Sequence, residues 1–363
     1  MSIASEVTRI NNNIAAAYTA CNGKGATMPA TQDSANLATC ISSISGGGDG
    51  IPREVVNGTY QIPTTTPFTF TLPNTATNLG SNALSRAFLG CFVLTSVDLS
   101  SLTTLTNFSA LSNAFQYCSI AGTLDLSNLT TVNALQVMYY AFSGCNSLTD
   151  IDLSSLTTVS GSNAMGYTFE SCIGLSDVDL SSLTTVSGEH TMTYTFRNCR
   201  SLTNIDLSSL TTVSGNYAMS NTFQGCTGLT SVVLSGLTTI GTNSSSGDYG
   251  HFSQCFYDCN ALTSLSFPNL EKIYCTGGTT TSYGTFANNN KVQKMYFPKL
   301  DTITYGTGAS STNQKACKNV FYGCSALTEL HFAAANQAAI EASPGYSTAW
   351  GRGAGNVTIY FDL

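Results

Sequence analysis

The sequence predicts a β-rich solenoid of about nine coils, preceded by a short helical segment and closed by end caps. Three observations predict it. Residues Phe169 to Gly215 state one pattern twice: Phe169, Cys172, Leu175, Val178, Leu180, Leu183 and Val186 recur 27 residues on as Phe196, Cys199, Leu202, Ile205, Leu207, Leu210 and Val213. Eight cysteines keep one register: Cys91, Cys118, Cys145, Cys172, Cys199, Cys226, Cys259 and Cys324. Within each copy the apolar residues alternate at strand period, so Leu202, Ile205 and Leu207 face inward while Asn204, Asp206 and Ser208 face outward. A unit this short cannot bury its apolar side alone and must stack on its neighbours.

Residues 1–45 read as a helical attachment or oligomerisation segment. Ile3, Val7, Ile10 and Ile14 are spaced 4, 3 and 4, an a/d seam. The seam packs either on a second helix of the same chain, through Leu37, Ile41 and Ile44, or on copies of itself in a dimer or trimer. Residues 46–50 (Gly-Gly-Gly-Asp-Gly, from Gly46) are a flexible linker. No Lys follows and no strand precedes, so they are not a phosphate loop.

Residues 51–80 read as an N-terminal β cap: Asn57-Gly58 is a hairpin signal, and Pro67 to Pro73 alternates with period two. An open solenoid end would expose core and strand edge, which a cap covers. The repeats occupy 81–332. The register cysteines are 27 apart up to Cys226; the spacing then loosens to 33 at Cys259, and Asn289 stands where a cysteine is due. The extra residues fall after the LTTV-type strand, as in Gly241 to Gln254, and map to loops on one side. Residues 333–363 form a C-terminal cap, with a short helix over Ala333–Ala342 and a last alternating strand over Asn356–Leu363.

Composition narrows function. Charged residues make up 9% of the chain, against about 25% in an average domain. The net charge is −7, so no basic field favours nucleic acid. No apolar run is long enough to insert in a membrane, and MSIASEVTRINNN lacks the basic start and apolar run of a secretory signal. The thirteen cysteines could be bridges or metal ligands, but a column of one per repeat reads better as small buried thiols. The other five, Cys21, Cys40, Cys255, Cys275 and Cys317, form no CxxC pair, so no zinc site is indicated.

No GxSxG, HExxH or P-loop motif occurs. His190 and His251 are expected in exposed loops and His331 at an exposed strand position, none beside a nucleophile and an acid. The expectation is a protein with no enzymatic activity and no cofactor. Asp98, Asp125, Asp152, Asp179 and Asp206 take the same outward position in five successive coils, about 5 Å apart. Their repulsion needs compensation. Flanking Ser and Thr hydroxyls can supply it, or a bound cation, for which Ca²⁺ is the best oxygen-ligand candidate.

Positions that vary between otherwise matching coils carry the candidate ligand surface. Ser162-Asn163 becomes Glu189-His190 and then Asn216-Tyr217; Gly166-Tyr167 becomes Thr193-Tyr194 and Ser220-Asn221. Glu170, Arg197 and Gln224 share one position, and Ile173, Arg200 and Thr227 another. With Tyr139 and Tyr140 these residues make an edge rich in the side chains of adaptable binding surfaces. The tyrosines could meet sugar or protein, or belong to the core. Drift on an unselected surface would leave the same pattern.

The Phe-x-x-Cys-x-x-Leu-x-x-Ile-x-Leu core resembles the BspA-type leucine-rich repeats of bacterial surface proteins. Ser or Gly replaces the proline frequent after the strand in that family, which Pro268 and Pro298 keep. The layout as a whole, with its IPREV start at Ile51, its DLSSLTTVSG repeats and its TIYFDL ending at Leu363, is similar to repeat proteins of phages and prophages of gut Firmicutes. The resemblance implies a tail-associated or virion-surface adhesin, assembled in the cytoplasm. It would bind a host cell-surface protein or glycan, and other tail proteins through its N-terminal segment. A bacterial cell-surface or secreted interaction protein is the second reading, and a carbohydrate-active enzyme the third.

Overall fold

The computed structural model describes residues 54–56, 59–61, 67–72, 74–241, 251–274, 285–286, 288–304, 320–321, 323–343 and 357–363. The proposed helical segment at 1–45 with Ile3, Val7, Ile10 and Ile14, the glycine linker at 46–50 and most of the late insertions lie outside the described residues.

The chain winds into a parallel β-solenoid whose coils have three walls. The first wall is a column of short strands from Phe68–Thr71 and Leu94–Asp98 through to Glu329–Phe332 and Thr358–Phe361. It falls into four hydrogen-bonded groups, and all its pairings are parallel. The second wall is one continuous eight-stranded parallel sheet, running from Thr104–Leu105 to Thr302–Thr304. The strands are two to five residues long because each wall holds only two or three inward side chains. Glu54–Val56 and Thr59–Gln61 form the hairpin expected around Asn57-Gly58.

The third wall is built from turns. In one coil the N–H groups of Met138, Tyr140 and Phe142 donate to the carbonyls of Ala164, Gly166 and Thr168 in the next coil, at 2.9, 3.1 and 2.8 Å. The intervening N–H groups of Tyr139, Ala141 and Ser143 turn back three residues, to Gln136, Met138 and Tyr140. Only every second amide therefore crosses between coils. This geometry needs a left-handed residue at every fourth position: Gln136 (φ 54°), Tyr140 (56°) and Gly144 (74°) in this coil. Few side chains tolerate that region, and a bulky one there is strained.

The core is a set of columns along the axis. Phe88, Phe115, Phe142, Phe169, Phe196, Phe223 and Phe256 stack successively, with centroids 5.1 to 5.8 Å apart. Each register cysteine from Cys118 on is buried, and its Sγ donates to the carbonyl of a phenylalanine in the preceding coil, as from Cys172 to Phe142 at 3.2 Å. Burial pushes the Cys118, Cys172, Cys259 and Cys324 thiols up to about 12. No described cysteine is bridged. Asn289 fills the cysteine position through hydrogen bonds: its Oδ1 accepts from Phe256 N at 2.8 Å and its Nδ2 donates to the Phe286 carbonyl at 2.7 Å. A polar side chain is held in the core because its hydrogen-bonding groups are matched.

Two expected positions are corrected. His251 is not in an exposed loop but fully buried: it begins the turn wall of a lengthened coil, and its carbonyl accepts from Met219 N. His331 does occupy the outward strand position, yet its side chain is only 12% exposed, because Tyr296 and Tyr360 cover its two faces at 4.7 Å each. The C-terminal residues form a short 3-10 turn, Ala334–Asn336, a helix, Gln337–Ala342, and the strand Thr358–Phe361, which continues the first wall in parallel.

Candidate recognition groove

Stacking copies side chains along the axis, so a residue class repeated at one turn position becomes a ladder. On the third wall the left-handed positions of successive coils hold Tyr140, Tyr167 and Tyr194, with centroids 4.4 and 4.6 Å apart and near-parallel rings. A second line of left-handed residues, Asn163, His190 and Tyr217, runs beside it, with His190 stacked on Tyr217 at 4.9 Å. Tyr139 stands edge-on to Tyr140 and Tyr167. It finds room over Gly166, where an added Cβ would meet its ring at 3.1 Å.

Between the two lines lies an open groove of about 420 Å³. Tyr139, Asn163, Tyr167, His190, Tyr194 and Tyr217 line it, and these are six of the residues expected from sequence variation. Thr193, Ser220, Asn221, Ser253 and Gln254 complete the lining and were not singled out in the sequence. Thr193, Ser220 and Asn221 were visible there as varying positions, though not chosen as candidates. Ser253 and Gln254 belong to a coil offset by 33 rather than 27, which hides their equivalence. The polar residues brace one another: Ser220 Oγ donates to the Ser253 carbonyl at 2.8 Å, Thr193 Oγ1 to the Tyr217 carbonyl at 2.8 Å, and Asn221 Nδ2 to Gln254 Oε1 at 3.0 Å.

Other expected residues flank the groove. Arg197 Nη1 donates to Glu170 Oε1 at 3.1 Å, and the guanidinium sits over the Tyr194 ring, 5.3 Å from its centroid. Its Nε is buried against that surface with no hydrogen-bond partner. Gln224 is tied to the lining through its Oε1, which accepts from Asn221 Nδ2 at 3.1 Å. Arg200 does not join them. It follows the buried Cys199 around the corner of the coil, and is exposed at the position that holds the exposed Ile173 one coil earlier.

The electrostatics are those of a neutral, half-desolvated surface. Burial, with the neighbouring Tyr194 and Tyr139, pushes the Tyr167 hydroxyl up to about 12, and Tyr140 is raised for similar reasons. Both hydroxyls stay protonated and able to donate. Burial lowers His190 below the ordinary imidazole range, against the opposing pull of exposed Glu189. Burial raises Glu170, and Arg197 offsets part of that.

The aspartate column faces away from this groove, on the first wall. Asp125, Asp152 and Asp179 stand directly opposite one another in the pairing register. Each carboxylate of the column turns to its own coil, where Oδ1 accepts from a backbone N–H two residues on: Ser100, Ser127, Ser154, Ser181 and Ser208 donate to Asp98, Asp125, Asp152, Asp179 and Asp206 at 2.8 to 3.1 Å. Among the described residues no group of three or more His, Cys, Asp or Glu side chains is placed to hold a metal ion. The compensation seen is hydrogen bonding within the coil. The same column ends in Tyr296, His331 and Tyr360. There His331 Nε2 faces Glu329 at 3.1 Å, Nδ1 faces Asp362 at 3.0 Å, and Lys294 pairs with Glu329 at 2.8 Å.

Among the described residues no helix is long and apolar enough to cross a membrane. A search of curated proteins gives no match. Among solved structures, a leucine-rich repeat protein from Eubacterium ventriosum is similar, with 15% identity and a TM-score of 0.33, over 73% of this chain and 66% of that one. Another, from Bacteroides ovatus, has 17% identity and a TM-score of 0.24, over 81% of this chain and 84% of that one. The family model of the BspA type leucine rich repeat region matches residues 64–186, 112–248 and 251–343, in six copies. Those spans take in most of the chain and coincide with the stacked coils, so the protein belongs to the BspA-type leucine-rich repeat family.

Proposed function

We propose that this protein is a non-enzymatic recognition protein that binds a host cell-surface glycan or protein through the tyrosine-lined groove of its third wall. One observation carries the reading. Two sets of positions that differ between otherwise matching coils, Asn163, His190 and Tyr217 in one and Thr193 and Ser220 in the other, come together in the lining of one groove, while the repeated Phe, Cys and Leu columns are buried. A repeat scaffold of this family suits an interaction role, and the lining combines rigid aromatics with short polar side chains, as binding surfaces do.

On this reading the protein is an adhesin of a phage tail or virion surface, and residues 1–45 attach it to the particle or join it into a dimer or trimer. The family's bacterial surface repeats support a second reading, a cell-surface or secreted interaction protein. Immunogold labelling of purified particles against intact cells separates the two. Replacing Tyr167, Arg197 and Tyr217 together is expected to abolish adsorption to a panel of gut Firmicutes cells while the circular dichroism spectrum is kept; unchanged adsorption by the folded variant refutes the groove. Comparing the full chain with one starting at Ile51 by light scattering tests the segment, and the shorter chain is expected to lose the oligomer.

A further inference from the structure

We infer that the ligand of this groove is a neutral oligosaccharide, held by hydrogen bonds along the coil stack. The inference rests on the recognition reading above and names its ligand class.

Every lining side chain carries a hydroxyl, an amide or an imidazole; none is aliphatic and none is Asp, Glu, Lys or Arg. A peptide site would offer at least one apolar pocket for an anchoring side chain, since anchors dominate protein interfaces. An acidic glycan would need a cation in the lining. His190 is held neutral by burial, and Arg197 outside the lining is already paired with Glu170. What remains is a surface complementary to an uncharged molecule dense in hydroxyl groups.

The central ring does not serve as a platform. Tyr140 and Tyr194 cover the two faces of Tyr167, at 4.4 and 4.6 Å, so Tyr167 shows the ligand its edge and hydroxyl. Recognition therefore falls to directional donors and acceptors. Asn163 and Gln254 line the groove three coils apart, both at left-handed backbone positions. An amide carries two donors and two acceptor lone pairs, which is more than the neighbouring contacts use. Coils succeed one another at strand spacing, about 4.8 Å, close to the rise of one sugar unit in an extended glycan. Successive sugars would then meet equivalent positions of successive coils.

The test uses the full chain on one printed array of three probe sets: neutral oligosaccharides, oligosaccharides bearing sialic or uronic acids, and short peptides. The variants are Asn163→Gly and Gln254→Gly, which remove the amide without straining a left-handed residue, and Arg200→Ala outside the groove. Binding is expected to neutral oligosaccharides, to fall at least tenfold in both glycine variants at unchanged melting temperature, and to persist in Arg200→Ala. Preferential binding to acidic glycans or to peptides that the glycine variants abolish overturns the ligand class and leaves the recognition groove standing. Neutral-glycan binding that survives in both variants overturns the groove itself, and binding to none of the three sets overturns the inference.

Discussion

Tyr140, Tyr167 and Tyr194 sit in a backbone region that costs an L-residue about 1–2 kcal/mol. Ring stacking recovers about 0.5–1.5 kcal/mol for each contact. The ladder therefore offsets the strain at these three positions, which the hydrogen-bond pattern of the wall imposes. Tyr167→Asn, which tolerates this conformation, is expected to lower stability by about 1–2 kcal/mol through loss of two stacks. Tyr167→Val adds the conformational penalty of a β-branched residue and should be worse; urea midpoints of the two variants check the order. His190 offers a pH test. Its folded-state pKa is depressed, so its contribution is complete above the unfolded value of about 6.5 and is lost as pH falls from there toward the folded value. Glu170, raised by burial, acts in the opposite sense and favours the folded state as pH falls. Comparison with His190→Asn isolates the first effect: the wild type should lose melting temperature relative to that variant as pH drops below 6.5, and parallel curves would exclude it.

At the scale of the element, the aspartate column and the cysteine column show two ways of repeating a difficult residue. The aspartates face like charges across the pairing register, and each is stabilised by its own short turn. Asp152→Asn keeps the acceptor for Ser154 N and removes a charge between two others, so it should raise stability by a few tenths of a kcal/mol. Chelation with EDTA should leave the melting temperature unchanged, because each carboxylate already accepts from a backbone amide, and Asp98, Asp125 and Asp179 also from the hydroxyl of the same serine; a drop would mean that a cation joins them. The cysteines are stabilised by burial and an S–H bond to the preceding coil. Native alkylation followed by mass spectrometry should label Cys91, which is partly exposed, and spare Cys118, Cys145, Cys172, Cys199 and Cys226.

For the whole molecule, the 27-residue coil is the unit that can be added or removed without breaking register. Deleting residues 160–186 joins Val159 to Ser187 in unbroken register and brings Tyr140 against Tyr194. The shortened chain should remain folded and unfold cooperatively at lower temperature, with its groove reduced by one coil. The columns that make this work were legible in the sequence, because burial at fixed period writes itself into residue type: Phe169, Cys172 and Leu175 recur for no other reason than the core. The turn wall was not legible. Its left-handed positions hold Gln136, Tyr140, Asn163, His190 and Tyr217 rather than a run of glycines, so the signal that usually marks such backbone was missing. The groove was half legible for the same reason. Variation marked Tyr167 and His190, but whether Arg197 or Arg200 turned toward them depended on a coil corner that residue types do not reveal. His251 was misplaced because the extra residues around it hid the register that puts it inside.

The cross-coil bonding of the turn wall has a mechanical consequence. Hydrogen bonds between coils run along the axis, and that wall contributes one for every two residues. A pull applied at the two ends would load those bonds directly, one interface between coils at a time, so coils should peel away singly instead of the whole stack giving way. Each released coil of 27 residues would lengthen the tether by roughly 90 Å at full extension. A force–extension trace should therefore be a sawtooth, with nearly equal teeth for the 27-residue coils and longer ones for the late coils. A protein that yields in such steps dissipates a sudden load while its remaining coils keep hold of whatever they have bound.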